Sequence, residues 1–189
     1  MRGTIMSTLE RPQTLPSMGP WKTPLAAVAG TPTRIVLAVT RVVLGFYFLW
    51  AFLDKTFGLH FATPTANAWI RGGSPTTGYL ENVAGPFKGV FNAIAGNVVV
   101  DWIFMLGLLG IGVALILGVG MRIAAVSSVL MLAFMYLASL PLTTNPVIDD
   151  HVIEALGIVL VVLLGASDVY GLGTWWKSQK LVQRFRWLA

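Results

Sequence analysis

The sequence predicts an all-α integral membrane protein, a bundle of four transmembrane helices with a long extracytoplasmic loop between helices 1 and 2. Three observations carry this expectation. Hydrophobic residues make up 56% and charged residues 11% of the 189-residue chain, against roughly 45–50% and 25% in soluble domains. Apolar runs near the crossing length of about 20 residues recur along it. Basic residues gather toward the two ends (Arg2, Arg11, Lys22, Arg34, Arg41; Lys177, Lys180, Arg184, Arg186) and at Arg122, whereas Asp54, Glu81, Asp101, Asp149, Asp150 and Glu154 fall between. Such a bias in Lys and Arg sets membrane orientation. It places both termini on the cytoplasmic side of the membrane and explains the net charge of +5 without nucleic acid. The length fits one domain. With no cysteine, disulfides, thiolate metal sites and thiol redox chemistry are excluded.

Residues 1–33 form a Pro-, Thr- and Ser-rich cytoplasmic tail without the apolar core of a signal peptide, with Trp21 and Lys22 near the membrane surface. The membrane domain covers 34–176. Its first span, 34–53, carries Arg41 about two turns inside. That side chain either snorkels to the interface or faces the bundle interior and pairs. With Arg122 and Asp168 it makes an inner charged group, expected to be an ion pair tying the first or second helix to the fourth.

Residues 56–98 are too polar and too broken by Gly and Pro to span, and read as an outer cap. Two amphipathic pieces, Thr65–Ile70 and Pro86–Ala95, suit short interfacial helices. Gly72-Gly73 between them is no phosphate loop, because no strand precedes it and no Lys-Ser/Thr follows. The second span, 102–121, has a stripe of Gly110, Ala114 and Gly118 that lets another helix approach closely. The third, 123–140, carries Met131, Phe134, Met135 and Tyr136 as core or lipid-facing side chains, and the fourth covers 151–170. Trp175-Trp176 anchors at the interface, and the basic tail 177–189 suits an anionic membrane surface.

The chemistry-bearing stretch is Asn145-Pro146-Val147-Ile148-Asp149-Asp150-His151-Val152-Ile153-Glu154. Pro146 suits the turn before a helix, and acids in the first turn complement its positive end. On that helix Asp150 and Glu154 lie four apart and His151 and Glu154 three apart, so each pair shares a face. The candidate catalytic residues are His151, Glu154 and Asp150. Asp54, Lys55 and Trp102, from the outer ends of the first two spans, join His151 as candidate cofactor-binding residues. One carboxylic acid and one imidazole can relay protons or hydrogen-bond a quinone carbonyl near neutrality. The alternative is plain helix capping and interfacial solvation, with Asp149 or Asp150 as cap and His151 exposed. No ligand spacing for a metal is fixed, and no haem or flavin motif is present.

The four-span plan, Arg41 and Gly45 in the first helix, the Asp54-Lys55 exit and the Asn145-Pro146 to Asp150-His151 entry resemble the DoxX family of bacterial membrane proteins. Ala68-Trp69-Ile70-Arg71-Gly72-Gly73-Ser74-Pro75-Thr76 and the run from Val100-Asp101-Trp102 to Gly120-Met121-Arg122 are similar to its DoxD-type branch. That branch is named for the membrane subunit of thiosulfate:quinone oxidoreductase. The resemblance covers about Arg34 to Trp176. It implies a subunit of a quinone-linked oxidoreductase or respiratory complex, with protein partners in a larger assembly or as a homo-oligomer, surrounded by membrane lipid. Thiosulfate itself fits poorly, because carboxylates outnumber Lys55, Arg71 and Lys88 on the outer face and repel a dianion. The alternatives are an accessory subunit without chemistry of its own and, ranked last for want of charge in the bilayer middle, a small transporter or proton pathway.

Overall fold

Hydropathy locates the helices of this chain, but caps and glycines decide where they begin and end. A computed structural model describes residues 29–143 and 145–189. The tail expected over 1–33, with Trp21 and Lys22, lies outside the described residues as far as residue 28. Helix α1 (Thr31–Phe57) is 27 residues long, opens with a proline in its first turn and stops at Gly58, whose φ is 66°. Only glycine adopts that left-handed turn at low cost. Asp54 and Lys55 therefore lie in the last turn of α1, not beyond it.

The polar segment after α1 holds two 3₁₀ turns, Thr65–Asn67 and Trp69–Arg71, and two short helices, α2 (Thr77–Leu80) and α3 (Lys88–Ile94). Leu80, Val83 and Phe91 bury against Ala138, so this segment is seated as a cap on one end of the bundle. Helix α4 (Val98–Leu117) starts four residues before the expected span, because Asn97 caps it by accepting from the amides of Val99 and Val100. Gly118, with φ 75°, ends it. Helix α5 (Met121–Ser139) follows after a tight turn.

Helix α6 (Asp150–Leu163) has 14 residues, capped at its start by Asp149. The continuous span expected over 151–170 is interrupted at Gly165, φ 76°, after which the chain turns through 3₁₀ residues Ala166–Asp168. At 1.5 Å per residue α6 covers about 21 Å of a hydrocarbon core of about 30 Å. Among the described residues three helices, α1, α4 and α5, are long and apolar enough to cross a membrane. Helices α7 (Gly173–Ser178) and α8 (Lys180–Arg184) and a last 3₁₀ turn, Arg186–Leu188, complete the chain. The described residues contain no strand.

Phe48, Met105, Leu108, Leu115, Leu132 and Ile158 form the main core, contributed by α1, α4, α5 and α6. Outward-facing side chains are apolar as well: Val36, Val43 and Phe46 on α1, Val126 and Phe134 on α5, Ile153, Leu156, Leu160 and Leu163 on α6. A belt of this kind suits lipid. Helices α1 and α4 approach backbone to backbone at Gly45 and Gly112. A Cβ on Gly45 would lie 2.9 Å from the Ile116 amide nitrogen, and one on Gly112 2.8 Å from that of Leu49. The expected stripe is displaced: Gly110 faces open space, and Gly118 lies beyond the helix.

The inner charges are not arranged as an ion pair between helices. Arg41 is fully buried, and its guanidinium donates to the carbonyls of Leu115 (2.8 Å), Ile116 (2.9 Å), Val169 (3.4 Å) and Tyr170 (3.3 Å). It thus sits at the negative end of α4, where a cation is favoured. Asp168 instead accepts from Lys177 at 2.7 Å, near the surface. Arg122 donates to the Arg186 carbonyl at 3.2 Å and helps fold the C-terminal tail back onto the bundle. Trp176 assists by donating to the Leu188 carbonyl at 2.7 Å.

Candidate functional site

The site begins with the face that α1 turns toward α6. Tyr47, Ala51 and Asp54 follow one another at spacings of four and three residues, so they share a helix face. From α6, His151 and Glu154 come to the same side by the same rule. Together with Lys55, Trp50, Phe61 and apolar residues of α4 and α5, they line a cavity of about 230 Å³ at the cap end of the bundle.

Of the residues expected to assemble, Asp54, Lys55, His151 and Glu154 line this cavity, whereas Asp150 and Trp102 do not. Asp150 is exposed in the first turn of α6, so the three-residue spacing from Glu154 reaches the cavity and the four-residue spacing does not. Trp102 is half exposed and packs edge-on against Trp69, ring centroids 4.7 Å apart. It braces the cap. Asp101 is also turned away. Its Oδ1 accepts from Ser74 Oγ (3.0 Å), the Thr76 amide (3.2 Å) and Thr76 Oγ1 (2.6 Å), fastening the cap to α4.

The lining residues have unequal freedom. Asp54, 2% exposed, accepts from the amides of Phe61 (3.2 Å) and Ala62 (3.0 Å), so its two oxygens are committed to the loop after α1. Lys55 donates to the Pro75 carbonyl at 3.3 Å, and its ammonium lies 5.8 Å from the centre of the Phe104 ring. His151 Nδ1 is 2.6 Å from Asp149 Oδ2, and Asp149 Oδ1 accepts from the Val152 amide at 3.3 Å. Partial burial opposes ionisation of Asp149, but the hydrogen bonds from His151 and from the Val152 amide outweigh it. The carboxyl is held below its ordinary range. Asp149 engages one ring nitrogen of His151, whose side chain lines the cavity and has a second nitrogen to offer.

Glu154 differs from all of these. Its Oε2 is shut off from solvent and has no hydrogen-bond partner among the described residues. A buried carboxyl oxygen without a donor is costly as an anion, and a proton or a ligand donor relieves that cost. The Tyr47 hydroxyl stands beside the Glu154 carboxyl without a hydrogen bond to Oε2, and His151, Asp150 and Asp149 are near enough for their charges to act on it. The arrangement can therefore exchange a proton or hydrogen-bond a small polar group inside an otherwise apolar cavity.

Tyr47 lines the cavity without having been singled out from the sequence. Its signal is its place seven residues before Asp54, two turns along the same helix face. The second histidine, His60, lies in the loop after α1, where its Nε2 is 2.6 Å from Thr65 Oγ1. Among the described residues no group of three or more His, Asp or Glu side chains could hold a metal ion. Comparison of the chain with family models, with curated proteins and with solved structures gives no match.

Proposed function

We propose that this chain is a DoxX-like membrane subunit of a quinone-linked oxidoreductase or respiratory complex, and that the cavity between α1 and α6 receives a quinone headgroup or passes its protons. In this reading α6 and the turn after it make the fourth crossing, and both termini face the cytoplasm of a bacterial cell. The lipid-facing row Ile153, Leu156, Leu160 and Leu163 supports embedding α6 despite its length.

The observation that carries the reading is the unpartnered Glu154 Oε2 in a cavity shared with His151, Lys55 and Tyr47. A quinone supplies two carbonyl oxygens and, on reduction, takes up protons there. His151 would donate to one oxygen, with Asp149 holding the imidazole in place. Glu154 would accept from the reduced hydroxyl or hold the proton in transit. The volume of about 230 Å³ suits a headgroup without its tail.

The test uses His151→Ala and Glu154→Gln in the parent complex within native membranes. Quinone-dependent turnover should fall by roughly 10²-fold or more, the scale of a lost acid–base group. The infrared signature of the Glu154 carboxyl should also respond to added quinone in the wild type. Unchanged turnover in both variants would remove the proposal.

A second reading, an accessory subunit without chemistry, is favoured by the number of charges engaged in architecture: Arg41, Asp54 and Asp101 all bond the fold itself. It predicts that replacing His151 and Glu154 changes neither turnover nor assembly, while replacing Arg41 or Asp101 prevents co-purification with the partners.

A further inference from the structure

A second and larger cavity, of about 640 Å³, lies between α4 and α5 under the cap. It shares Lys55, Phe104 and Met135 with the smaller one, but neither His151 nor Glu154 lines it. Its volume falls within the roughly 300–1,000 Å³ of small-molecule sites. Three features specify what it fits.

The first is depth. From Ala138 at the cap to Ser127 the lining follows α5 for roughly 16 Å at 1.5 Å per residue, about one leaflet of a hydrocarbon core of about 30 Å. The second is access. Ile103, Leu130 and Phe134 on its rim are each more than half exposed, so the groove opens sideways toward lipid. The third is charge. Among the described residues Lys55 is the one ionisable side chain apart from Tyr79 on its lining, and it sits at the cap end beside Pro75.

An ammonium has three donors. Lys55 uses one, on the Pro75 carbonyl at 3.3 Å, and among the described residues no carboxylate lies within ion-pair distance of it. The neighbouring acid, Asp54, has both oxygens on backbone amides. Asp101, behind Thr76, is 5% exposed and already accepts from Ser74 and Thr76. A half-buried cation with open donors at the interface end of a one-leaflet apolar groove is complementary to a carboxylate on a single long chain.

We infer that the groove between α4 and α5 binds a long-chain fatty acid, its chain along α5 and its carboxylate on Lys55 Nζ. The proposal concerns the other cavity; Lys55 lines both, and His151, which lines only the smaller one, separates the two readings.

The test is titration of the full chain in maltoside micelles with oleate, read by native mass spectrometry. One oleate per chain is expected. Lys55→Met should weaken binding roughly tenfold or more, and Lys55→Arg should retain it, because removal of one partner of a partly desolvated charge pair is costly. Ser127→Phe, which fills the inner end of the groove, should weaken binding as strongly, and methyl oleate should bind poorly to the wild type. His151→Ala should bind oleate normally, so loss of the quinone site leaves this result standing. The inference is overturned if oleate and its methyl ester bind alike, or if a Lys55→Met chain of unchanged helical content binds as the wild type does. It is equally overturned if His151→Ala abolishes uptake, or if dioleoyl phosphatidylglycerol displaces oleate in a Lys55-dependent way. Should Lys55→Met not fold, the methyl ester and Ser127→Phe decide the matter.

Discussion

At the residue scale, Arg41 shows what a sequence exposes and what it hides. A buried arginine within an apolar helix is legible as a group in need of partners. Its partners are not legible, because they are backbone carbonyls, and every residue carries one. Asp168 is the acid that the sequence offers Arg41 at that end of the expected spans, yet Lys177 reaches it at the surface and leaves Arg41 to the ends of α4 and the turn after α6. The flat guanidinium spans both sets of carbonyls, which a lysine's single point of charge does not. Arg41→Lys should therefore cost on the order of 3 kcal/mol in reversible unfolding in mixed micelles, as carbonyls lose charged donors. Gly118→Ala should do comparable damage, since its Cβ would lie 2.6 Å from Arg41 Nη1 at a φ of 75°. Asp149 gives a pH-dependent case. Its folded pKa is depressed, so its contribution is present above the unfolded value of about 3.9 and fades as pH falls through the lower folded value. Asp149→Ala should cost about 1 kcal/mol at neutral pH, as a lost helix cap does. In thermal scans the variant and the wild type should converge in strong acid.

At the scale of elements, the apolar lengths of α1, α4 and α5 were plain from hydropathy, whereas their registers were not. Hydropathy averages over a window and cannot feel Asn97 closing the first turn of α4, nor the left-handed glycines 118 and 165 that stop α4 and follow α6. The same blindness misplaced the close approach. Small residues at Gly110, Ala114 and Gly118 make a stripe on paper, but which face meets a neighbour depends on how α4 is rotated against α1. The backbone contact falls at Gly45 and Gly112. Gly112→Ala should destabilise the bundle by about 2 kcal/mol through overpacking against α1. Gly110→Ala meets nothing within 4 Å among the described residues and should be neutral or stabilise by up to about 1 kcal/mol from helix propensity. Denaturation of both variants in the same detergent separates the two rotations of α4. A loss at Gly110 with none at Gly112 would mean that the stripe, not Gly112, faces a helix.

At the scale of the whole molecule, the acids that the sequence gathers at one end divide into two kinds. Asp54 and Asp101 hold the cap: the first bonds the amides of Phe61 and Ala62, the second the Ser74–Thr76 turn. Glu154 holds nothing within the described residues through its Oε2. The sequence could not make this division, because a carboxylate's role follows from the donors the fold brings to it. It has energetic consequences of opposite sign. Asp101→Ala leaves a buried amide and two hydroxyls without their acceptor, at a cost of roughly 1–3 kcal/mol, and should release the cap from α4. Hydrogen exchange at residues 74–80 should then accelerate while the middle of α4 and α5 stays protected. Glu154→Gln removes a carboxylate whose buried Oε2 lacks a donor among the described residues, and so should be neutral or mildly stabilising in the same experiment, however much it harms turnover. That contrast is a test of whether Glu154 belongs to a site at all. A group kept for chemistry leaves stability when it is replaced no worse than before, whereas a group kept for the fold takes stability with it. If Glu154→Gln loosens the cap or lowers the unfolding temperature as Asp101→Ala does, then Glu154 is a third fastening, and the cavity beside it is only the space that fastening leaves.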